Sequence, residues 1–168
     1  VPTRKLLEDS YHFWYIGKSY YDSTLGDYPL GMDHIKEYAR RSIFYFGQYL
    51  NFKHDYQNTG KAKGIDELAY FALYAMGDMF KLCGNYEKAL DCGMRAEEFA
   101  PSRNEHIVLQ AECYKDLSDF DSMKLQTDRL MDSDRKLPFP EFNFLLNMEH
   151  YNDSGKYCEQ LHQIANQV

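Results

Sequence analysis

The stretch from Leu73 to Pro101 spaces its large and small residues so regularly that few folds remain open to it. It carries Leu73, Met76, Gly77 and Phe80, then Gly84, then Tyr86, Ala89, Gly93, Ala96 and finally Pro101. The first four stand at the i, i+3, i+4, i+7 spacing of a helix with one apolar stripe. The run after Gly84 has the same character, and Gly84 with Asn85 supplies the turn between the two. Gly77 and Ala89 are small, which lets two antiparallel helices approach closely. Pro101 ends the second helix because proline cannot continue it. The segment therefore predicts a helical hairpin.

The same pattern returns about 34 residues later, without a gap. Leu73 maps to Ile107, Gly77 to Ala111, Phe80 to Tyr114, Tyr86 to Phe120 and Ala96 to Leu130, although Ala89 becomes Met123 and Pro101 becomes Arg135. Ser102 and Glu105 have the spacing of a capping box, which places the start of this hairpin there. Upstream, Phe13, Ile16, Gly17 and Tyr20 repeat the first-helix pattern. A looser insertion from Leu25 to Met32 separates them from a second helix that begins near Asp33 and carries Ala39, Ile43 and Phe46. Asn51 to Gly64, with Lys53, Asn58, Gly60, Lys61 and Lys63, reads as a loop. After Pro138 and Pro140, Phe142, Phe144, Leu145 and Leu146 read as apolar cover for the last hairpin. A final helix from Gly155 to Asn166 would put Tyr157, Leu161 and Ile164 on one face.

This spacing resembles the tetratricopeptide repeat. The reading is an all-α, TPR-like solenoid of about three helical hairpins, at residues 4–51, 66–101 and 102–135. A capping segment at 140–168 would cover the apolar side that the last hairpin otherwise exposes. The competing reading is a helical bundle whose spacing is accidental. Because the chain begins at Val1, it is expected to be a piece of a longer protein.

Three longer stretches carry a narrower resemblance. They are Phe13-Trp14-Tyr15-Ile16-Gly17-Lys18-Ser19-Tyr20-Tyr21-Asp22, then Asp66-Glu67-Leu68-Ala69-Tyr70-Phe71-Ala72-Leu73-Tyr74-Ala75-Met76-Gly77, then Ala100-Pro101-Ser102-Arg103-Asn104-Glu105. From Tyr11 to Tyr114 the chain is similar to the helical repeat region that follows family-2-type glycosyltransferase domains. It departs from that pattern at the Leu25–Met32 insertion and at Ala111. The resemblance implies an accessory module beside a sugar-transferring domain, with the nucleotide-sugar fold and its metal motif belonging to that other domain. Asp132-Ser133-Asp134 has the letters of such a motif but sits at the end of a helical pattern, where carboxylates solvate a helix terminus.

Local signatures of chemistry are lacking. The six histidines form no His-Glu-x-x-His and no close helical pair, so no metal or cofactor is expected. Neither a nucleophile elbow nor a glycine-rich phosphate loop is written in the chain. The net charge of −7 argues against nucleic acid, because phosphate binding needs a basic field. No apolar run reaches the length of a membrane helix and no signal peptide is visible. The four cysteines stand far apart and read as free thiols in a reducing, cytoplasmic setting.

What remains is contact surface. Fifteen tyrosines and eleven phenylalanines suit large, partly polar interfaces. In this repeat class the first helices line a groove. With Gly17, Gly77 and Ala111 as the reference position, the groove positions are Tyr11, Trp14, Lys18 and Tyr21, then Phe71, Tyr74, Asp78 and Lys81, then Glu105, Val108, Glu112 and Lys115. The expected partner is a protein domain or peptide; the alternative is a glycan stacked on Trp14, Tyr21 and Tyr74. The same rings would be core if other segments cover them. A third reading, a stand-alone enzyme, would draw on Asp66, Glu67, Asp78 and Glu112.

Overall fold

The computed structural model describes residues 4–26, 32–57 and 67–131. Among them the chain is helical throughout, in six helices: α1 (Arg4–Leu25), α2 (Met32–Gln57), α3 (Glu67–Leu82), α4 (Tyr86–Phe99), α5 (Glu105–Asp116) and α6 (Phe120–Leu130). Each helix packs on the next along the chain. In addition α1 packs on α3, and α3 on α5.

The turns follow from local chemistry. Gly84 takes φ 78°, a left-handed conformation that glycine adopts without a Cβ clash. Asn85 then caps α4 by accepting the Lys88 amide through its side chain. The turn into α6 repeats this plan: Ser118 takes φ 60° and Asp119 caps the helix by accepting the Ser122 amide. Ala100, directly before Pro101, is the C-cap of α4.

Two local expectations are corrected. Asn51–Gln57 is helical, so α2 runs well into the segment expected to be loop. The only interruptions the sequence offered, Asn58 and Gly60, come after it. Ser102 does not cap α5. The helix starts at Glu105 with Asn104 as N-cap, and the Glu105 carboxylate turns back to accept the Asn104 amide at 3.2 Å. Its second partner, Arg103, holds it there. The loop expected up to Gly64, the Asp132-Ser133-Asp134 run and the capping segment 140–168 lie outside the described residues from 58, 132 and 140 onward.

The core runs through the hairpins. Trp14, Tyr21, Ala39, Phe46 and Tyr49 from α1 and α2 pack with Ala69, Ala72, Ala75, Met76 and Met79 of α3. Leu73 meets Ala96 and Ala100 of its own hairpin, and half-buried Leu50 of α2 packs against this group. Ile107 and Ala111 close on Met123 and Leu130. The small residues sit where helices cross. A Cβ on Gly17 would meet the Phe46 ring at 3.0 Å, and one on Gly77 would run into the Leu109 side chain. Ser42, on the facing helix, donates to the Gly17 carbonyl at 2.9 Å, so that crossing is hydrogen-bonded as well.

Candidate functional site

Three first helices, α1, α3 and α5, lie in series, and the residues expected to line a groove meet across them. The Tyr21 hydroxyl donates to Asp78 Oδ2 at 2.9 Å. The Tyr21 ring stands edge-on to Phe71, with centroids 5.6 Å apart. Lys81 of α3 pairs with Glu112 of α5. Trp14 packs on Phe71 at 5.4 Å and on Phe46 at 6.2 Å. Its indole N–H donates to the Leu68 carbonyl at 3.0 Å, tying α1 to the start of α3.

The burial of these groups is uneven, and this corrects the expectation of an exposed aromatic strip. Trp14 is 8% exposed and Tyr21 7% exposed, so both are wall rather than platform. Phe71, Tyr74, Asp78, Lys81, Glu112 and Lys115 are half-buried, as are Val108 and Glu105. Tyr11 is open at 43%. Lys18 lies on the surface, paired with Asp22 at 2.6 Å.

The electrostatics follow from that burial. Burial pushes the Asp78 carboxyl above its usual range, although Lys81 and the hydroxyls of Tyr21 and Tyr74 act against the shift. Burial also raises Tyr21 and Tyr74, and the Asp78 charge raises both further. Lys81 ends above its ordinary value: burial works against its charge, but the Glu112 carboxylate outweighs it. The result is a polar seam of two tyrosines, two carboxylates and one lysine running from α1 to α5. Of the carboxylates that an enzyme reading would use, Asp78 and Glu112 belong to this seam. Glu67 is exposed at the start of α3, and Asp66 lies outside the described residues.

Sequence spacing did not point to a second polar network at the start of α5. The Tyr70 hydroxyl donates to Glu105 at 3.2 Å and lies 3.1 Å from His106 Nδ1. Arg103 stacks over the Tyr70 ring at 5.0 Å and bonds Glu105. Beyond it Arg129 of α6 pairs with Glu97 of α4. Burial alone would raise Glu97, but Arg129 holds it below the ordinary range. The clue was the buried polar pair His106 and Gln110 on a helix face that otherwise reads as apolar.

Among the described residues, no group of three or more His, Cys, Asp or Glu side chains could hold a metal ion. None of the described helices is long and apolar enough to cross a membrane. Cys83, Cys92 and Cys113 are free thiols, and burial pushes both Cys92 and Cys113 up to about 12. No family model and no curated protein matches the chain.

Proposed function

We propose that the chain is an interaction module of the tetratricopeptide-repeat type, working beside a glycosyltransferase domain, whose α1–α3–α5 face holds a protein domain or peptide. The observation behind this reading is the serial packing of α1 on α3 and α3 on α5. Counted from Gly17, Gly77 and Ala111, Tyr11, Lys18, Tyr74, Lys81, Glu112 and Lys115 fall on one side of these helices on this reading. Tyrosines interleaved with charges of both signs supply contact area and hydrogen bonds at low entropic cost. The seam beneath, Tyr21–Asp78 and Lys81–Glu112, fixes the spacing of the three helices before any partner arrives. The glycan reading draws less support, because Trp14 and Tyr21 are buried and the indole N–H is already bonded.

The test is a titration of the chain, followed by NMR, with the flanking domain of its parent protein and separately with nucleotide sugars and oligosaccharides. Shifts at Tyr11, Tyr74, Lys81 and Lys115 on adding the domain, weakened by Tyr74→Ala, are the expected result. Shifts at those positions with sugars alone would replace this reading by carbohydrate handling. Silence toward the flanking domain would sever the glycosyltransferase link.

A further inference from the structure

One titratable side chain enclosed by the fold has no part in the groove. His106, in the first turn of α5, is 0% exposed, and charged or titratable groups reach its surroundings from α3, α4, α5 and α6. Tyr70 of α3 stands edge-on to the imidazole and brings its hydroxyl to 3.1 Å from Nδ1. Glu97 of α4 places Oε2 4.0 Å from Nε2. Glu105 of α5 lies beyond the Tyr70 hydroxyl and is held by Arg103 of the α4–α5 turn, while Arg129 of α6 holds Glu97. Among the described residues, the two carboxylates and two guanidinium groups balance, so His106 decides the net charge of the cluster.

Counting protons shows what this cluster asks of the ring. Burial and the Glu105 charge both raise the Tyr70 phenol, so it keeps its single proton, which it donates to Glu105 at 3.2 Å. The same oxygen accepts the His106 backbone amide at 3.1 Å, which leaves its second acceptor position for Nδ1. On the other side Nε2 faces Glu97, and although burial works the other way, Arg129 keeps that carboxylate ionised and able only to accept. Both ring nitrogens therefore meet acceptors, and a neutral imidazole has one N–H to offer. With the proton on Nδ1, the Nε2 lone pair is turned on a carboxylate. With it on Nε2, the Tyr70 proton must leave Glu105. An imidazolium serves both sides at once. Burial and the two guanidinium groups oppose its charge, but each guanidinium is itself turned to a carboxylate.

We propose that His106 is a pH-sensitive joint between the second and third hairpins, held as an imidazolium between Tyr70 and Glu97 at neutral pH and loosened when it loses that proton. The imidazolium links α5 to α3 through Nδ1 and to α4 through Nε2. Loss of the Nε2 proton removes the second link and sets a lone pair against Glu97. The sign follows from linkage. An unfolded histidine releases its proton near pH 6.5, about where an unperturbed imidazole titrates, and the folded chain holds it longer. The joint is therefore at full strength below that value and weakens as pH rises through the folded chain's own transition. None of this depends on what the groove binds, so a failure here leaves the groove reading standing.

Nitrogen-15 spectra of the imidazole groups, taken on the natural chain from about pH 5 to 9, read the protonation of His106 directly, because that interval spans the titration of histidine. His106 is expected to be an imidazolium at about pH 7, above the ordinary midpoint. In Glu97→Gln its titration should move down by about one pH unit or more, the effect of losing an opposite charge at this range. Hydrogen-exchange protection of the α5 amides in the natural chain should fall through the same pH interval as the ring loses its proton. In His106→Gln, which has nothing to titrate there, that step should vanish. A neutral ring at about pH 7, a titration unmoved by Glu97→Gln, or α5 protection indifferent to the titration would each overturn the proposal. The first and last of these are read on the natural chain, so a variant that folds poorly does not leave the question open.

Discussion

Tyr21 and Asp78, on two helices that are not neighbours in the chain, share a 2.9 Å hydrogen bond at a half-buried seam. The phenol donates and the carboxylate accepts, so the contact stabilises the charged acid in a place where burial disfavours it. Tyr21→Phe keeps the ring packing on Phe71 but removes this donor. A loss of about 1–3 kcal/mol is expected, the cost of leaving a buried acceptor short of a partner. Urea unfolding of the two proteins measures it. An unchanged midpoint would mean that Asp78 draws its compensation from Tyr74 and Lys81 alone.

The same carboxyl predicts a pH dependence. Its folded pKa is raised above that of an ordinary aspartate, so the folded state holds a proton that the unfolded state has already released. That contribution is complete below the unfolded value and is lost as pH rises through the folded one. Glu97 and Glu105, held low by Arg129 and Arg103, act with the opposite sign: their stabilisation is present above the ordinary carboxylate value and fades as pH falls through their folded ones. The difference between the natural chain and Asp78→Asn isolates the first effect. The variant should gain relative stability as pH rises from about 4 to 7, the interval just above an ordinary aspartate. Chemical denaturation at a series of pH values gives the curve, and a flat difference would show that Asp78 ionises as freely folded as unfolded.

Much of this arrangement was legible in the sequence, and the parts that were not share a cause. Gly84-Asn85 and Pro101 marked their boundaries because turn and cap chemistry is local. The periodicity of Leu73, Met76, Gly77 and Phe80 likewise identified the packed side of α3. Which partner covers a given face is not local. Trp14 occupies a groove position by count, yet Phe46, Phe71 and the Leu68 carbonyl make it core. The end of α2 was missed because Asn51 and Lys53 are polar without being helix breakers. Ser102 and Glu105 imitate a capping box, but the Glu105 carboxylate is drawn to Arg103 and the Asn104 amide instead.

The two equivalent turns offer an internal comparison. Gly84 and Ser118 both adopt positive φ, at 78° and 60°, but only the glycine does so without strain. Ser118→Gly should therefore stabilise the chain by about 1 kcal/mol, the penalty a side chain carries in that region. Gly84→Ser should cost a similar amount. Thermal melts of the pair check both signs together, and destabilisation by Ser118→Gly would show that the serine side chain makes a contact worth more than the strain.

Two helical glycines should respond in opposite ways. Gly77 faces Leu109, with the Ala89 carbonyl at 3.3 Å and Cys92 Cβ at 3.4 Å from any added Cβ, whereas a Cβ on Gly47 would meet nothing within 4 Å. Gly77→Leu overpacks the meeting point of α3, α4 and α5 and should cost about 3 kcal/mol. Gly47→Ala should stabilise α2 by up to about 1 kcal/mol through helix propensity alone. Adding Leu109→Ala to Gly77→Leu should cost less than Leu109→Ala does by itself, since the two side chains compete for one space. Strict additivity in this double-mutant cycle would move the clash elsewhere.

Trp14 decides between two accounts of α1. As a ligand platform it would bind sugars or a peptide and contribute little to folding. Its position argues for the other account: 8% exposure, ring contacts with Phe46 and Phe71, and an indole N–H spent on the Leu68 carbonyl. Truncating a ring so enclosed leaves a cavity and removes the indole hydrogen bond at the junction of α1, α2 and α3. Trp14→Ala should cost about 3–5 kcal/mol. Trp14→Phe should recover much of the packing but not the hydrogen bond, and leave a residual loss of about 1 kcal/mol. Tyr74→Ala, by contrast, should weaken partner binding by more than it lowers the melting temperature if its half-buried ring lines the proposed contact face. If Trp14→Ala melts like the natural chain, the indole lies on the surface and α1 is packed differently against α3.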